Sequence, residues 1–237
     1  MLTTRSTILL FLLAAASPAH ADEIYARAVI ARPLTLPSRI AMLGADATGN
    51  HDLSALGGAP IIGYGITDEL EVQVPYVFAT RDFEARGALD VDVGYALLRG
   101  ALGGKLEVIA RARAGYDMLA EDARPVLVGL HAQYNVTDRL AVISGAPGTE
   151  QVQIAPDVVF SLPLGIGVQA SDTLYVQLDT KLVSDTTLIV RDALPATLTV
   201  LCNVVPAVDV QAALGTDLMT APGDNLAFLV GARFYLL

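Results

Sequence analysis

The chain has 237 residues, of which 53% are hydrophobic and only 17% charged, and its 25 acidic against 15 basic residues give a formal net charge of −10. The acidic balance argues against nucleic acid and other polyanionic partners, which call for basic patches, and the single Cys202 excludes an internal disulfide scaffold. No stretch beyond the first residues offers the ~20 uncharged apolar residues that a spanning helix needs.

High apolarity without a spanning helix is what a transmembrane β-barrel produces, because its lipid face replaces the polar surface of a soluble fold. The length suits one such domain.

In chain order, Met1 to Arg5 carries a positive charge, Ile8 to Ala16 is apolar, and Ser17 to Ala21 ends small-x-small before Asp22 and Glu23. These are the parts of a secretory signal, predicted to cover residues 1–21 with cleavage after Ala21. Asp22 to Pro37 is then expected as a periplasmic lead-in and residues 38–237 as the barrel.

Twelve strands are predicted: Ser38 to Thr48, Ala59 to Ile66, Glu69 to Thr80, Ala85 to Leu98, Lys105 to Asp117, Pro125 to Asn135, Arg139 to Ala146, Val152 to Gln169, Thr173 to Ser184, Ala196 to Val205, Val208 to Thr216 and Asn225 to Leu237. Between Gln151 and Ala170 every even position is apolar or proline, a period of two that no helix produces. Even-numbered strands lead into short turns at Thr67-Asp68, 100–104, 136–138, 170–172 and Pro206-Ala207, while odd-numbered strands lead into longer loops. An even count with alternating short and long connections is the up-and-down outer-membrane pattern, with short turns in the periplasm.

Alternation separates the two faces of each strand. Leu174, Val176, Leu178 and Leu182 oppose Tyr175, Gln177, Asp179 and Lys181, and Leu106, Val108, Ala110 and Ala112 oppose Lys105, Glu107, Arg111 and Arg113. The apolar set is expected to face lipid and the polar set the lumen. Aromatic residues on the apolar parity fall into two groups, Tyr64, Tyr95, Tyr134 and Phe234 at the periplasmic end and Tyr76, Phe78, Tyr116 and Phe228 at the outer end, as interfacial girdles require.

Several segments carry hairpin wording: Gly65 to Pro75, Tyr134 to Leu140, Leu162 to Tyr175 and the terminal Gly231 to Leu237. They resemble small proteobacterial outer-membrane β-barrel proteins, and in particular the transporter family associated with the meta-cleavage pathway of phenol degradation. The resemblance covers most of Ser38 to Leu237 and implies passive transport of small solutes, with the barrel-assembly machinery and outer-membrane lipid as partners. It brings no catalytic residues and no cofactor. One departure is the C-terminus, where such chains usually finish in an aromatic residue and this one ends in Leu236-Leu237.

Projected inward, the polar parity gathers candidate lumen-lining residues. Glu71, Arg86, Asp90 and Asp92 come from the third and fourth strands, Lys105, Glu107, Arg111, Arg113 and His131 from the fifth and sixth, and Asp157, Asp179, Lys181, Asp209 and Arg233 from the remainder. Charges held in such an interior must be paired or hydrated. They form either an ionic path that selects solutes or a cross-strand network that fills the barrel, since twelve strands fall between eight, which side chains fill, and sixteen, which leave a channel. The sharpest cluster is Arg111 and Arg113 against Asp90 and Asp92 on neighbouring strands. Alternatives to a pore are a closed barrel that works through its outer surface, and a barrel hydrolase using His131 or His51. A triad spacing is lacking for the latter, and no Cys and His cluster offers a metal site.

Overall fold

In a computed structural model, the structure describes Ala26 and residues 28–81, 84–145, 151–154, 158–185, 194–219 and 225–237. Among these, almost all regular structure is antiparallel strand. The strands are β1 (Ala41–Asn50), β2 (Ala55–Gly65), β3 (Leu70–Arg81), β4 (Glu84–Gly100), β5 (Leu106–Asp117), β6 (Asp122–Ala123), β7 (Val126–Thr137), β8 (Leu140–Ser144), β9 (Val152–Ile154), β10 (Val159–Gln169), β11 (Leu174–Asp185), β12 (Pro195–Val205), β13 (Val208–Asp217) and β14 (Ala227–Leu236). β6 prolongs β7 along β5, and β8 and β9 lie in one line between β7 and β10, so the fourteen segments build twelve staves.

The sheet has no free edge. β1 pairs with β14 from Ala41 opposite Leu236 to Asn50 opposite Ala227, which closes the barrel and satisfies the backbone without water. β1 therefore begins and β14 ends at the end that also carries the short turns.

Three of those five turns share a chemistry written in the sequence as Thr or Ser, Asp, any residue, Leu. The Thr67 hydroxyl accepts the Leu70 N–H (3.1 Å), Thr137 that of Leu140 (3.0 Å) and Ser171 that of Leu174 (3.2 Å). The hydroxyl holds the reversal by taking backbone donors that the ladder leaves over. The hairpin from β4 to β5 instead turns through Ala101–Gly104, where Gly100, Gly103 and Gly104 adopt φ of 65°, 73° and 87°.

Burial follows the alternation. On β4, Ala88, Asp90, Asp92 and Ala96 are buried inside while Leu89, Val91, Tyr95 and Leu97 are exposed outside. Tyr64, Tyr95 and Tyr134 at one end and Tyr76, Phe78 and Tyr116 at the other stand out on the outer face, giving the two expected girdles.

One expected strand is divided. The alternating run from Val152 to Gln169 is two segments: Val152–Ile154 pairs with Val126, Leu127 and Val128 of β7 and belongs to the seventh stave, and the eighth begins at Val159. Pro156 has no N–H for a ladder and Asp157 suits a turn. Both keep the period of two, so alternation passes through the reversal unnoticed; residues 155–157 themselves lie outside the described residues.

Proline marks two further gaps. The β2–β3 register runs from Gly58 opposite Phe78 to Ile61 opposite Pro75 without pairing Pro60, and β3–β4 skips Pro75 itself.

Candidate functional site: the barrel interior

Three tiers divide the interior. The outer tier is a cavity of about 760 Å³ walled by small side chains from the strand ends, among them Thr48, Gly57, Ala79, Thr197, Ala213 and Gly215. Leu56, Phe228 and Leu229 line it as well, and no charged side chain does.

The middle tier is ionic. Arg111 lies against Glu71 and reaches Asp92 Oδ1 at 3.1 Å, while Arg113 meets Asp92 Oδ2 at 2.7 Å. Glu71, Asp92 and Arg111 are each 1–3% exposed. The register explains the chain of contacts: Asp92 faces Arg113 directly, but Arg111 faces Gly94, whose missing side chain lets the guanidinium cross to Glu71 on β3. A Cβ at Gly94 would come within 3.0 Å of the Glu71 carboxylate and 3.3 Å of Arg111.

Asp90 is separate from this group, in contrast to the expected four-residue cluster. It faces Gly115, and its Oδ2 accepts from Arg124 at 2.6 Å. A small cavity of about 80 Å³ bounded by Asp90, Arg113, Arg124 and Gln153 lies beside it. Further round the wall Arg233 of β14 makes a two-pronged pair with Asp46 of β1 (2.7 Å each), to which Gln211 adds a bond at 3.1 Å. Asp46 and Arg124 were absent from the sequence-derived set. Asp46 had a usable signal, since it shares the polar parity of β1; Arg124 lies just before β7, where strand parity gives no instruction.

The remaining candidates are dispersed. Glu107 approaches Arg99 at 3.7 Å, and Asp179 accepts two bonds from Gln177 (2.9 and 2.8 Å). Lys181 is half-buried on β11, whereas Lys105 is exposed beside the turn before β5. The side chain of Arg86 and the whole of Asp157 lie outside the described residues.

His131 is 2% exposed, opposite Ile109, and neither ring nitrogen meets a hydrogen-bond partner among the described residues. Among the described residues no carboxylate or hydroxyl hydrogen-bonds the ring, so no nucleophile–base pair is seen there. His51 stands exposed in an outer turn. Beside it the Ser54 N–H donates to Asp52 at 3.0 Å, which holds that carboxyl below its usual pKa. Among the described residues no group of three or more His, Cys, Asp or Glu is placed to hold a metal.

The lowest tier is supplied by the segment before β1. Val29–Ala31 forms one 3-10 turn, and Ile30, Arg32, Thr35 and Leu36 are all buried against the barrel wall. Arg32 pairs with Asp209 of β13, a residue expected in the lumen, and lies 5.9 Å from the ring centre of Tyr235. Asp209 is held from behind by Asn203 (2.8 Å) and by the Tyr235 hydroxyl (2.9 Å). Sequence reading missed this tier because the segment has neither period to follow.

A closed antiparallel barrel with an apolar outer band, two aromatic girdles and a charged interior is a transmembrane β-barrel of the outer-membrane type. Among solved structures it is similar to a KdgM porin, at 8% identity over 83% of this chain and 99% of that one with a TM-score of 0.63. It is likewise similar to a NanC porin, at 12% identity over 82% and 100% of the two chains with a TM-score of 0.59. No family model and no curated protein matches the chain. At such identities the likeness carries the fold.

Proposed function

We propose that this protein is a passive pore for small polar solutes in an outer membrane. The observation that carries the reading is the stacking of an open outer cavity of about 760 Å³ on a ring of paired charges that the polar parity of the strands directs inward. An apolar outer face with a polar interior is the arrangement by which such barrels conduct, and fields from opposed charges at close quarters select among solutes.

The porin fold supports the reading, and one similar structure, at 8% identity and a TM-score of 0.62, is a KdgM porin in complex with disordered oligogalacturonate. By that analogy a hydrophilic metabolite is a suitable cargo class here. The phenol-pathway resemblance adds a small aromatic solute as the cargo to compare. Export through residues 1–21, insertion by the barrel-assembly machinery and a non-enzymatic role belong to the same proposal.

The test is planar-bilayer conductance of the folded full chain, with ion selectivity compared after Asp90→Asn together with Asp92→Asn. Discrete steps are expected, and the double variant should shift toward anions, because the interior then loses two negative charges while Arg111, Arg113 and Arg124 remain. Steps with unchanged selectivity would remove these carboxylates from the solute path. Permanent silence, also after the barrel's lowest tier is unlatched as described next, would overturn the pore and favour a closed barrel working through its outer loops.

A further inference from the structure

We infer that the segment 28–36 is a built-in plug of the periplasmic mouth, and that Arg32 is its latch, seated in a guanidinium-binding site made by Asp209, Asn203 and Tyr235. The inference rests on the pore reading for its consequence but not for its geometry.

Three observations place the plug. First, the segment crosses the mouth from wall to wall. The Ile30 carbonyl accepts from Gln133 (3.0 Å) and Asn135 (3.3 Å) on β7, the sixth stave, while Arg32 lies near Tyr235 on β14, the twelfth and so diametrically opposite. The Ile30 N–H donates to Gln169 on β10 (3.1 Å) and the Leu36 N–H to Glu71 on β3 (2.8 Å), a second crossing between the eighth stave and the third.

Second, the barrel wall is shaped for this segment. A Cβ on Gly65 would collide with the carbonyl oxygens of Pro37 and Leu36, so β2 admits the strap only as glycine. The buried apolar side chains form two small clusters, Leu36 with Ile40 and Met42 and Ile30 with Ala141, Ile143 and Tyr175, and a strap residue sits in each. Without the strap these lumen side chains would face water.

Third, the latch is a complete receptor. Asp209 takes two guanidinium nitrogens of Arg32, and both of its oxygens are also held by neutral donors on the wall, which orients the carboxylate before the cation arrives. The Tyr235 ring adds a cation–π face. Arg99 fixes the far end of the strap by bonding Thr35 Oγ1 (2.7 Å) and the Asp68 carbonyl. A lead-in without function has no use for so many dedicated partners.

The experiment uses the full chain with Cys202→Ser and Ile30→Cys, and reads the rate at which the new thiol reacts with a charged maleimide, alongside bilayer conductance. With the latch intact, Cys at 30 should be protected and conductance low or intermittent. Arg32→Ala should raise the labelling rate by about tenfold or more, because reaction proceeds through the opened state, and should lengthen the open time. Asp209→Asn should do the same, and the double variant should add little to either single change, as two halves of one contact require. Equal labelling with and without Arg32, on protein verified as folded by its resistance to unfolding before heating, would overturn the plug. Additive single effects would overturn the assigned receptor. Faster labelling without any conductance would leave the plug standing and remove the pore.

Discussion

Arg111 shows how the interior solves a charge problem one side chain at a time. It is enclosed between Glu71 and Asp92, with all three side chains at most 2% exposed, so removing it takes the buried counter-charge from Glu71 and one of the arginines from Asp92. Arg111→Ala should cost about 3–5 kcal/mol, the usual penalty for breaking a buried pair. Arg124→Ala should cost less, because its side chain is 38% exposed and its loss opens the buried Asp90 carboxylate to water. Urea unfolding of both variants in the same lipid checks the order, and equal losses would contradict it. Sequence parity groups Arg111 and Arg113 with Asp90 and Asp92, whereas in the structure Asp92 meets both of those arginines and Asp90 pairs with Arg124. Face follows from a period of two, whereas partner follows from register, and a bulge between Ala96 and Leu98 resets the register between β4 and β5.

At the scale of the element, the strands are the most legible part of the chain because the membrane imposes one rule on every stave. Leu178 is 56% exposed on the outer face of β11, and its neighbour Gln177 bonds inward to Asp179. Leu178→Arg should therefore destabilise by about 2–4 kcal/mol if the site lies at the bilayer midplane, while Gln177→Arg should be better tolerated. The readout is the folded fraction across a urea series, and equal penalties would refute the face assignment. The turns were legible too, since the hydroxyl before Asp in Thr67, Thr137 and Ser171 caps each reversal in the same way. The β9–β10 reversal was not, because its residues preserve the alternation that announces a strand. Nor was the strap, which is held by tertiary contacts and obeys no period.

For the molecule as a whole, closure makes every strand an interior strand. Proline tolerates only edges and irregularities, and the native Pro60 and Pro75 each sit at a break in the ladder. Ala232, paired with both Ala45 and Val210, has no such break. Ala232→Pro should cost about 3 kcal/mol or more and lower the yield of folded barrel in vesicles; normal yield would show that the seam between β1 and β14 is looser than its continuous register implies.

The partners of the N-terminal strap are scattered along the chain, Glu71 near its first third, Gln169 beyond its middle and Asp209 and Tyr235 near its end. Contacts of such sequence separation form late, and Arg32 has no complete seat until β12, β13 and β14, which carry Asn203, Asp209 and Tyr235, have paired. A strap whose seat needs those last strands reports, once docked, that they are in place, so its first contacts act as a receipt for its last.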